Sequence, residues 1–409
     1  MPAFWNFLLT LLSTAITWGV VELVIFPAAI PHLPMRLHAF LGELEPLAQS
    51  SKAGLRPQGE WILIVGDSYA KGNGDWFLSA DKDKNLPFQA AHVLHDRAGR
   101  DVMNFGLPGA GSAGAWVMKP EEHMIWLDLS WRYTVAPPKT VFAYFYEGND
   151  LDDNLRRAAF HFGNALPEGF IQDPAAIDAY LENFAGARQQ EKKTALYNLF
   201  ALKFARNIVR HELRQFTEVV PKEADLVAAT RDHVVAVKTA STGGVNAFRI
   251  AGQTVTVDGP LQSPGLELSP PQTSGALLIA ERALIRLRAL FPVSQVVVVY
   301  LPSTLTVYEP ASEHVVIQTY HGGRSRWPAD AVATRSDSLC RRLRNSAGRV
   351  GVGFLDARGV LRAAARKSSV HGPLDWKHLN KDGQEVLGAY LAEHAQDGER
   401  AGPCVRLSR

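Results

Sequence analysis

Short apolar runs separated by helical segments are the feature of this sequence that most restricts its fold. The runs at 61–65, 140–146 and 295–301 are apolar at nearly every position, as strands are when both faces of their sheet are covered. Shorter runs lie at 102–105 and 352–355. Helices are predicted at about 87–98, 273–291, 329–347 and 381–395. Because strands that alternate with helices form parallel sheets, we predict an α/β fold, a three-layer α/β/α domain with a mainly parallel sheet, over 59–400.

A long segment with a different character interrupts this alternation at about 150–290. It begins as a polar, helical region that extends to about 230. Short β-like pieces then follow near 233–237, 248–250 and 254–257, with glycine-rich turns between them. We therefore predict a small β-containing insertion in the domain.

The N-terminus is unusually apolar. From Phe4 to Phe26 the only charged residue is Glu22, and about 20 apolar residues suffice to cross the hydrocarbon core of a bilayer. We predict a transmembrane anchor at 1–30 and a proline-rich juxtamembrane linker at 31–58. Two alternatives stay open. A cleaved signal peptide lacks support from a basic start or a small-residue cleavage site, and the third interpretation is a buried core helix.

Membrane orientation is weakly specified. Glu22 is expected near the end of the span, where its carboxylate would reach the interface. Few basic residues follow the span closely (Arg36, Lys52, Arg56), so the positive-inside rule leans only faintly toward a cytoplasmic domain.

Composition excludes some functions. The formal net charge is only +2 in 409 residues, which gives no electrostatic case for binding nucleic acid. Cys340 and Cys404 are too few for a disulfide framework and lack metal-ligand spacing. They either form one disulfide in an oxidising compartment or remain two thiols.

Candidate catalytic residues follow the predicted strands. Ser68 stands in Gly66-Asp67-Ser68, immediately after a buried strand, where Gly66 lets the backbone turn. The loop from Asn104 to Gly109 follows the next strand, and a glycine there can bring its N–H close to an oxyanion. Taken alone, each of these motifs is common and most often structural.

Two further motifs lie later in the chain. Asn149 follows a strand within Gly-Asn-Asp and carries a carboxamide that could donate to an oxyanion. Asp375 and His378 form a D-x-x-H pair before the last helix, where the carboxylate could orient the imidazole and the imidazole could activate a hydroxyl. A lone pair of this kind is usually a surface feature.

Two rival interpretations concern the same loops. Residues 109–114 match G-x-G-x-x-G, and Asp128 lies where a ribose-binding acid could fall, but a lone match is weak support for a dinucleotide. Asp150, Asp152 and Asp153 form an acidic cluster that is more typical of a helix start than of a cation site.

Taken in order, Ser68, Gly109, Asn149 and the Asp375/His378 pair resemble the SGNH (GDSL) hydrolase superfamily. The resemblance covers about 60–150, the strand near 295–303, and 350–395. It implies Ser68 as nucleophile, His378 as base, Asp375 as its orienting acid, and Gly109 and Asn149 as oxyanion donors, with no metal or organic cofactor. Gly106 competes with Gly109 for the oxyanion role, and the gap before His378 is longer than in compact members.

The resemblance also implies an activity. We expect a serine esterase or O-acyl transferase acting on an acyl-ester substrate of an envelope polysaccharide or lipid, with the domain periplasmic or extracellular. A catalytically inactive scaffold subunit of an envelope complex is the alternative. Aromatic residues near the motifs could stack on sugars or pack the core: Trp76, Phe77, Trp116, Tyr144, Tyr146 and Trp376. The sequence does not set the oligomeric state.

Overall fold

A five-stranded parallel sheet forms the centre of the protein. The computed structural model describes residues 2–33, 35–38, 40–48, 57, 59–74, 87–129, 135–189, 199–217, 246–320, 322–395 and 402–407. The central strands are β1 (Ile62–Val65), β2 (Val102–Asn104), β3 (Thr140–Tyr146), β6 (Gln295–Leu301) and β10 (Gly353–Asp356). Their spatial order is β10-β6-β3-β1-β2, and every neighbouring pair is parallel. The predicted α/β fold with a parallel sheet is thus confirmed.

The strand order creates a switch point in the sheet. The chain passes from β1 to β2 on one side and then returns to place β3 on the other side of β1. In doubly wound sheets the crevice at such a reversal, beyond the carboxyl ends of the strands, is where ligands bind. The loops that follow β1 and β3 border this crevice.

Both faces of the sheet are covered, which explains the continuous apolar runs. In β1, Leu63 and Val65 belong to the core on one face, while Ile62 and Ile64 belong to the core on the other. All four side chains are buried. Odd-numbered and even-numbered residues of the strand therefore both face apolar side chains, and no position in the strand favours a polar residue.

The described part of the chain contains fifteen α-helices, several of which pack on the two faces of the sheet. The helices are α1 (Pro2–Val20), α2 (Phe26–Ala29), α3 (Met35–His38), α4 (Glu45–Ala48), α5 (Ser68–Lys71), α6 (Ala90–Ala98), α7 (Lys119–Leu129), α8 (Asp150–His161), α9 (Pro174–Gln189), α10 (Phe200–Thr217), α11 (Pro270–Leu290), α12 (Thr304–Val307), α13 (Ala329–Val350), α14 (Arg358–Ala365) and α15 (Lys381–Glu393). Short 3-10 helices occur at Ile30–His32, Gly42–Leu44 and Phe170–Gln172, and π-helical turns at Val21–Ile25 and Ala113–Met118. Helices α8, α9, α11 and α13 contribute to the core on one face, and α6, α14 and α15 to the core on the other.

Antiparallel elements lie beside the central sheet. Strands β4 (Asn246–Ile250) and β5 (Gln253–Val257) form a hairpin, and β7 (Glu309–Pro310) joins β4. A second hairpin consists of β8 (His314–Gln318) and β9 (Arg324–Pro328), which the sequence analysis did not predict. The β-like piece predicted at 233–237 lies outside the described residues.

One helix in the described part of the chain, Ala3–Ala29, is long and apolar enough to cross a membrane. Only 6% of its most apolar window is buried. A signal sequence passes the same test of length and composition, so the finding establishes an apolar N-terminal helix that could serve as an anchor.

Glu22 has a specific partner within the protein. Its carboxylate is buried and accepts hydrogen bonds from the backbone N–H groups of Phe200, and of Ala201 at 2.9 Å. These groups lie at the start of α10, where N–H groups lack partners within the helix and the helix dipole favours negative charge. The carboxylate therefore contacts a helix N-terminus, a partner that the sequence analysis did not predict.

The two cysteines are joined. Cys340 in α13 and Cys404 form a disulfide across a sequence separation of 64. The C-terminal segment it holds also donates from the N–H of Val405 to the Asp356 carboxylate at 2.7 Å, and Asp356 in turn pairs with the buried Arg358. The disulfide thus keeps this segment on the buried ion pair next to β10.

We predict that reduction of this disulfide destabilises the protein. A cross-link over a loop of this length contributes about 2–4 kcal/mol, so dithiothreitol should lower the melting temperature of the full chain in detergent. The control is the double variant Cys340→Ala/Cys404→Ala, which should melt at the lower temperature with or without reductant. An unchanged melting temperature of the wild-type chain in reductant would contradict the prediction.

Candidate active site

Ser68 lies at the carboxyl end of β1, as the first residue of α5. Asp67 caps this helix, because its carboxylate accepts from the N–H of Tyr69 at 2.9 Å. Gly66 is needed for close packing here: a Cβ at this position would lie 2.7 Å from Tyr144 Cβ and 2.9 Å from Ala70 Cβ. The hydroxyl is recessed, since Ser68 is 6% exposed.

His378 connects Ser68 to Asp375. The Nε2 atom of His378 lies 2.8 Å from Ser68 Oγ, and its Nδ1 atom lies 2.6 Å from Asp375 Oδ2. An ionised carboxylate can only accept a hydrogen bond, so Nδ1 carries the proton in the neutral ring. Nε2 is then left to accept from the serine hydroxyl, which is the arrangement that nucleophilic catalysis by serine requires.

The surroundings of Asp375 favour its ionised form. Burial acts to raise its pKa, but the hydrogen bond and charge of His378, together with the N–H groups of Lys377 and His378, lower the pKa below its usual value. Those N–H groups lie 2.8 Å and 3.3 Å from Asp375 Oδ1. The ionised carboxylate can therefore orient the imidazole through Nδ1.

The loop that carries this pair is fixed from several sides. Asn380 caps α15 through Oδ1, while its amide donates to carbonyls of the loop, including Ser369 O at 2.9 Å. The hydroxyl of Tyr69, which follows the nucleophile, donates to Lys377 O at 2.6 Å. Tyr308 accepts from the N–H of His371 at 2.9 Å. These bonds hold the imidazole at a defined distance from β1.

The two candidate oxyanion glycines, both in the loop after β2, have different surroundings. Gly106 donates its N–H to Asn104 Oδ1 at 2.7 Å, and a Cβ on it would lie 2.3 Å from Lys71 N. Gly109 has a positive φ of 63° and open space beside it. Leu107, between them, donates to Gly66 O at 2.9 Å, which holds the loop on the end of β1. The N–H of Gly106 is thus already bonded within the loop, whereas Gly109 has open space beside its Cα.

Asn149 lies at the end of β3, across the switch point from Ser68. Its side chain lowers the pKa of Asp67, as a donor does, and so offsets part of the effect of burial. An amide NH₂ carries two donors, and the second can serve a substrate. The Oδ1 atom is buried and has no hydrogen-bond partner among the described residues.

Two residues on α8 that the sequence analysis missed fix the Gly109 loop. Asn154 is buried, and its Oδ1 accepts from the N–H of Ser112 at 2.7 Å. Arg157 donates from Nε to Gly109 O at 3.0 Å. They lie three residues apart and therefore share a face of the helix. The spacing of the two residues can be read from the sequence, but their contact with the Gly109 loop cannot.

The two rival ligand sites receive no support from the geometry. A helix does begin at Gly111, yet Asn154 already occupies the N–H groups of Ser112 and Ala113 that a pyrophosphate would need. The one group of potential metal ligands in the described residues is Cys340, Asp356 and Cys404. Its two sulfurs are bonded to each other, so no thiolate is present to bind a metal.

Several carboxyl groups near the nucleophile have raised pKa values. Burial raises the pKa of Asp67, although the N–H of Tyr69 and the charge of His378 offset part of this effect. Burial and the charge of Asp67 raise the pKa of Asp150 well above its usual value. Burial and the charge of Asp153 raise the pKa of Asp152 to about 7.

Most of the aromatic residues near the motifs are core residues. Trp116, Tyr144 and Tyr146 are fully buried, so they cannot stack on a sugar. Trp376 is half-buried, beside Tyr308 in the loop before His378. Trp76 and Phe77 lie outside the described residues.

Comparison of this chain with protein-family models, curated proteins and solved structures finds no match. The likeness to a hydrolase superfamily therefore rests on the motifs in the sequence.

We predict that the stability of the protein depends on the ionisation of Asp152. Its pKa is about 7 in the native state and near the ordinary value of about 3.9 when unfolded. The native state binds more protons between these values, so the free energy of unfolding falls as the pH rises through this range. Asp152→Asn should remove that fall and raise the melting temperature by a few degrees at about pH 8, but not at about pH 4.

The matched control is Asp258→Asn, which neutralises an exposed carboxylate in the turn after β5. It should change the melting temperature little at either pH. A wild-type melting temperature that rises between these pH values, relative to Asp152→Asn, would contradict the assigned direction.

Proposed function

We propose that this protein is a serine esterase or O-acyl transferase of the SGNH type. One observation carries the proposal: a continuous chain of hydrogen bonds runs from Asp375 through His378 to Ser68, at the carboxyl edge of the sheet. The strand order and the switch point beside Ser68 agree with such a domain. The substrate would be an ester-linked acyl group of an envelope glycan or lipid.

The proposed reaction begins with Ser68. Its Oγ attacks the ester carbonyl carbon while the hydroxyl proton moves to His378 Nε2. The carbonyl π electrons move to oxygen and give a tetrahedral oxyanion. As the C–O bond breaks, His378 returns the proton to the leaving alcohol. Water or an acceptor hydroxyl then attacks the acyl-enzyme by the same steps and releases Ser68.

The proposal assigns three donors to the oxyanion. The N–H of Ser68 belongs to the first turn of α5, where backbone N–H groups have no partner within the helix. Gly109 offers its N–H from the loop after β2, and Asn149 offers its second amide donor from the end of β3. Fixed donors of this kind stabilise the transition state because they need no reorganisation as charge develops.

The disulfide favours an oxidising compartment for the domain. Disulfides are rare in the cytosol of mesophiles and common outside it, and Cys340 and Cys404 are bonded. With the apolar helix as anchor, the disulfide supports a periplasmic or extracellular position for the proposed active site. The disulfide is stronger support than the few basic residues after the helix, which favour a cytoplasmic domain only weakly.

We predict that a fluorophosphonate probe labels Ser68 and that the full chain cleaves a short p-nitrophenyl ester. Ser68→Ala should abolish both, because no other atom replaces Oγ. His378→Ala should lower cleavage by about 10⁴-fold or more. The measurements are mass spectrometry of the labelled peptide and initial rates.

The control for the serine variant is Ser274→Ala, an exposed serine on α11 that should keep full activity. Turnover retained by Ser68→Ala would reject the catalytic assignment. Absence of labelling in a folded wild-type chain would favour the inactive scaffold.

We further predict that Asn149→Ala lowers kcat for that ester by about 10²–10³-fold, with little change in KM. The reason is that the lost donor serves the transition state more than the bound substrate. Asn345→Ala, an exposed asparagine on α13, is the matched control. An effect on KM alone would contradict the oxyanion role.

A further inference from the structure

Helix α10 is fastened to the apolar N-terminal helix at a defined level. Glu22 binds the N–H groups at its start, and the rings of Phe26 and Phe204 lie 5.3 Å apart. An α-helix rises about 1.5 Å per residue, so roughly 20 residues counted from Ala3 cover the ~30 Å hydrocarbon core. That count ends at Glu22. If the N-terminal helix spans a bilayer, α10 begins at its surface.

One face of α10 is fixed to the protein. Asn207 donates to Phe40 O at 3.0 Å, and the ring of His211 lies 5.0 Å from that of Phe40. Together with Phe204, these residues define the inner face. The helix therefore cannot rotate to hide its opposite face.

The opposite face is apolar and exposed. Leu202 is 49% exposed and Val209 is 55% exposed, and they lie seven residues apart, on the same side of the helix. Leu213, four residues after Val209, is 60% exposed. Arg206 and Arg210 are also exposed and border this row. Both arginines lie on one side of the row, and the exposed Glu212 lies on the other. An apolar row beside basic residues is typical of helices that lie in the interface of an anionic bilayer.

We propose that α10 is an interfacial helix that rests on the bilayer into which the N-terminal helix inserts, with Leu202 and Val209 in the acyl boundary and Arg206 and Arg210 at anionic lipid headgroups. The apolar surface of the N-terminal helix, which is exposed at Leu23, continues to this level. The interfacial helix would fix the orientation of the domain relative to the membrane. This inference does not depend on the proposed enzymatic activity.

The test uses a fluorophore whose emission reports polarity. The variant Val209→Cys is labelled with nitrobenzoxadiazole in the full chain, where Cys340 and Cys404 are already bonded to each other. The chain is placed in discs of phosphatidylcholine and phosphatidylglycerol, with or without lipids spin-labelled near the headgroup. The control label is at Val293→Cys, a 77% exposed valine between α11 and β6.

We expect blue-shifted emission at position 209 and loss of most of its intensity with the spin-labelled lipid, and neither effect at position 293. The double variant Arg206→Glu/Arg210→Glu should reduce the quenching at position 209. Water-like emission at both positions would overturn the proposal. A blue shift at 209 without quenching by lipid would also overturn it, because it would show burial against protein, such as a second copy of the chain.

Discussion

The parallel pairing of β1 with β3 is the constraint on which the arrangement of the site depends. The register places Ile62 beside Thr140 and Val65 beside Ala143, so the chain leaves both strands at the same edge of the sheet. Ser68 follows β1 by three residues, and Asn149 follows β3 by three, although β3 continues for three residues beyond Ala143, the partner of Val65. This pairing therefore brings the nucleophile and a candidate oxyanion donor to the same edge of the sheet.

The sequence predicted those features whose physical cause is local. Strand β3 was predicted with its observed bounds, because a strand buried on both faces shows as a continuous apolar run. The contact between Asp375 and His378 needed only a short loop. The contact between Ser68 and His378 joins residues 310 positions apart. It was expected only from the order of the motifs, which resembles that of the SGNH hydrolases.

Features that depend on distant packing were not predictable from the sequence. The partner of Glu22 is a helix end 178 residues away, and nothing near Glu22 indicates that helix. Strands β8 and β9 were missed because each has only five residues. Buried positions alternate with less buried ones in β8, and exposed positions alternate with half-buried ones in β9, a pattern too short to separate from a loop. The close packing of Gly66 on Tyr144 also depends on a residue of another strand and was not predicted.

The buried carboxyl group of Asp67 shows how the site is kept rigid. It accepts from the N–H of Tyr69, which fixes the turn that presents Ser68, and the side chain of Asn149 lowers its pKa, as a donor does. A single carboxylate therefore couples the nucleophile to the candidate oxyanion donor across the switch point. Burial raises its pKa, which means that its ionised form opposes folding. A fold selected for stability alone would place an apolar residue there, and the destabilising group is found where it positions two reactive side chains.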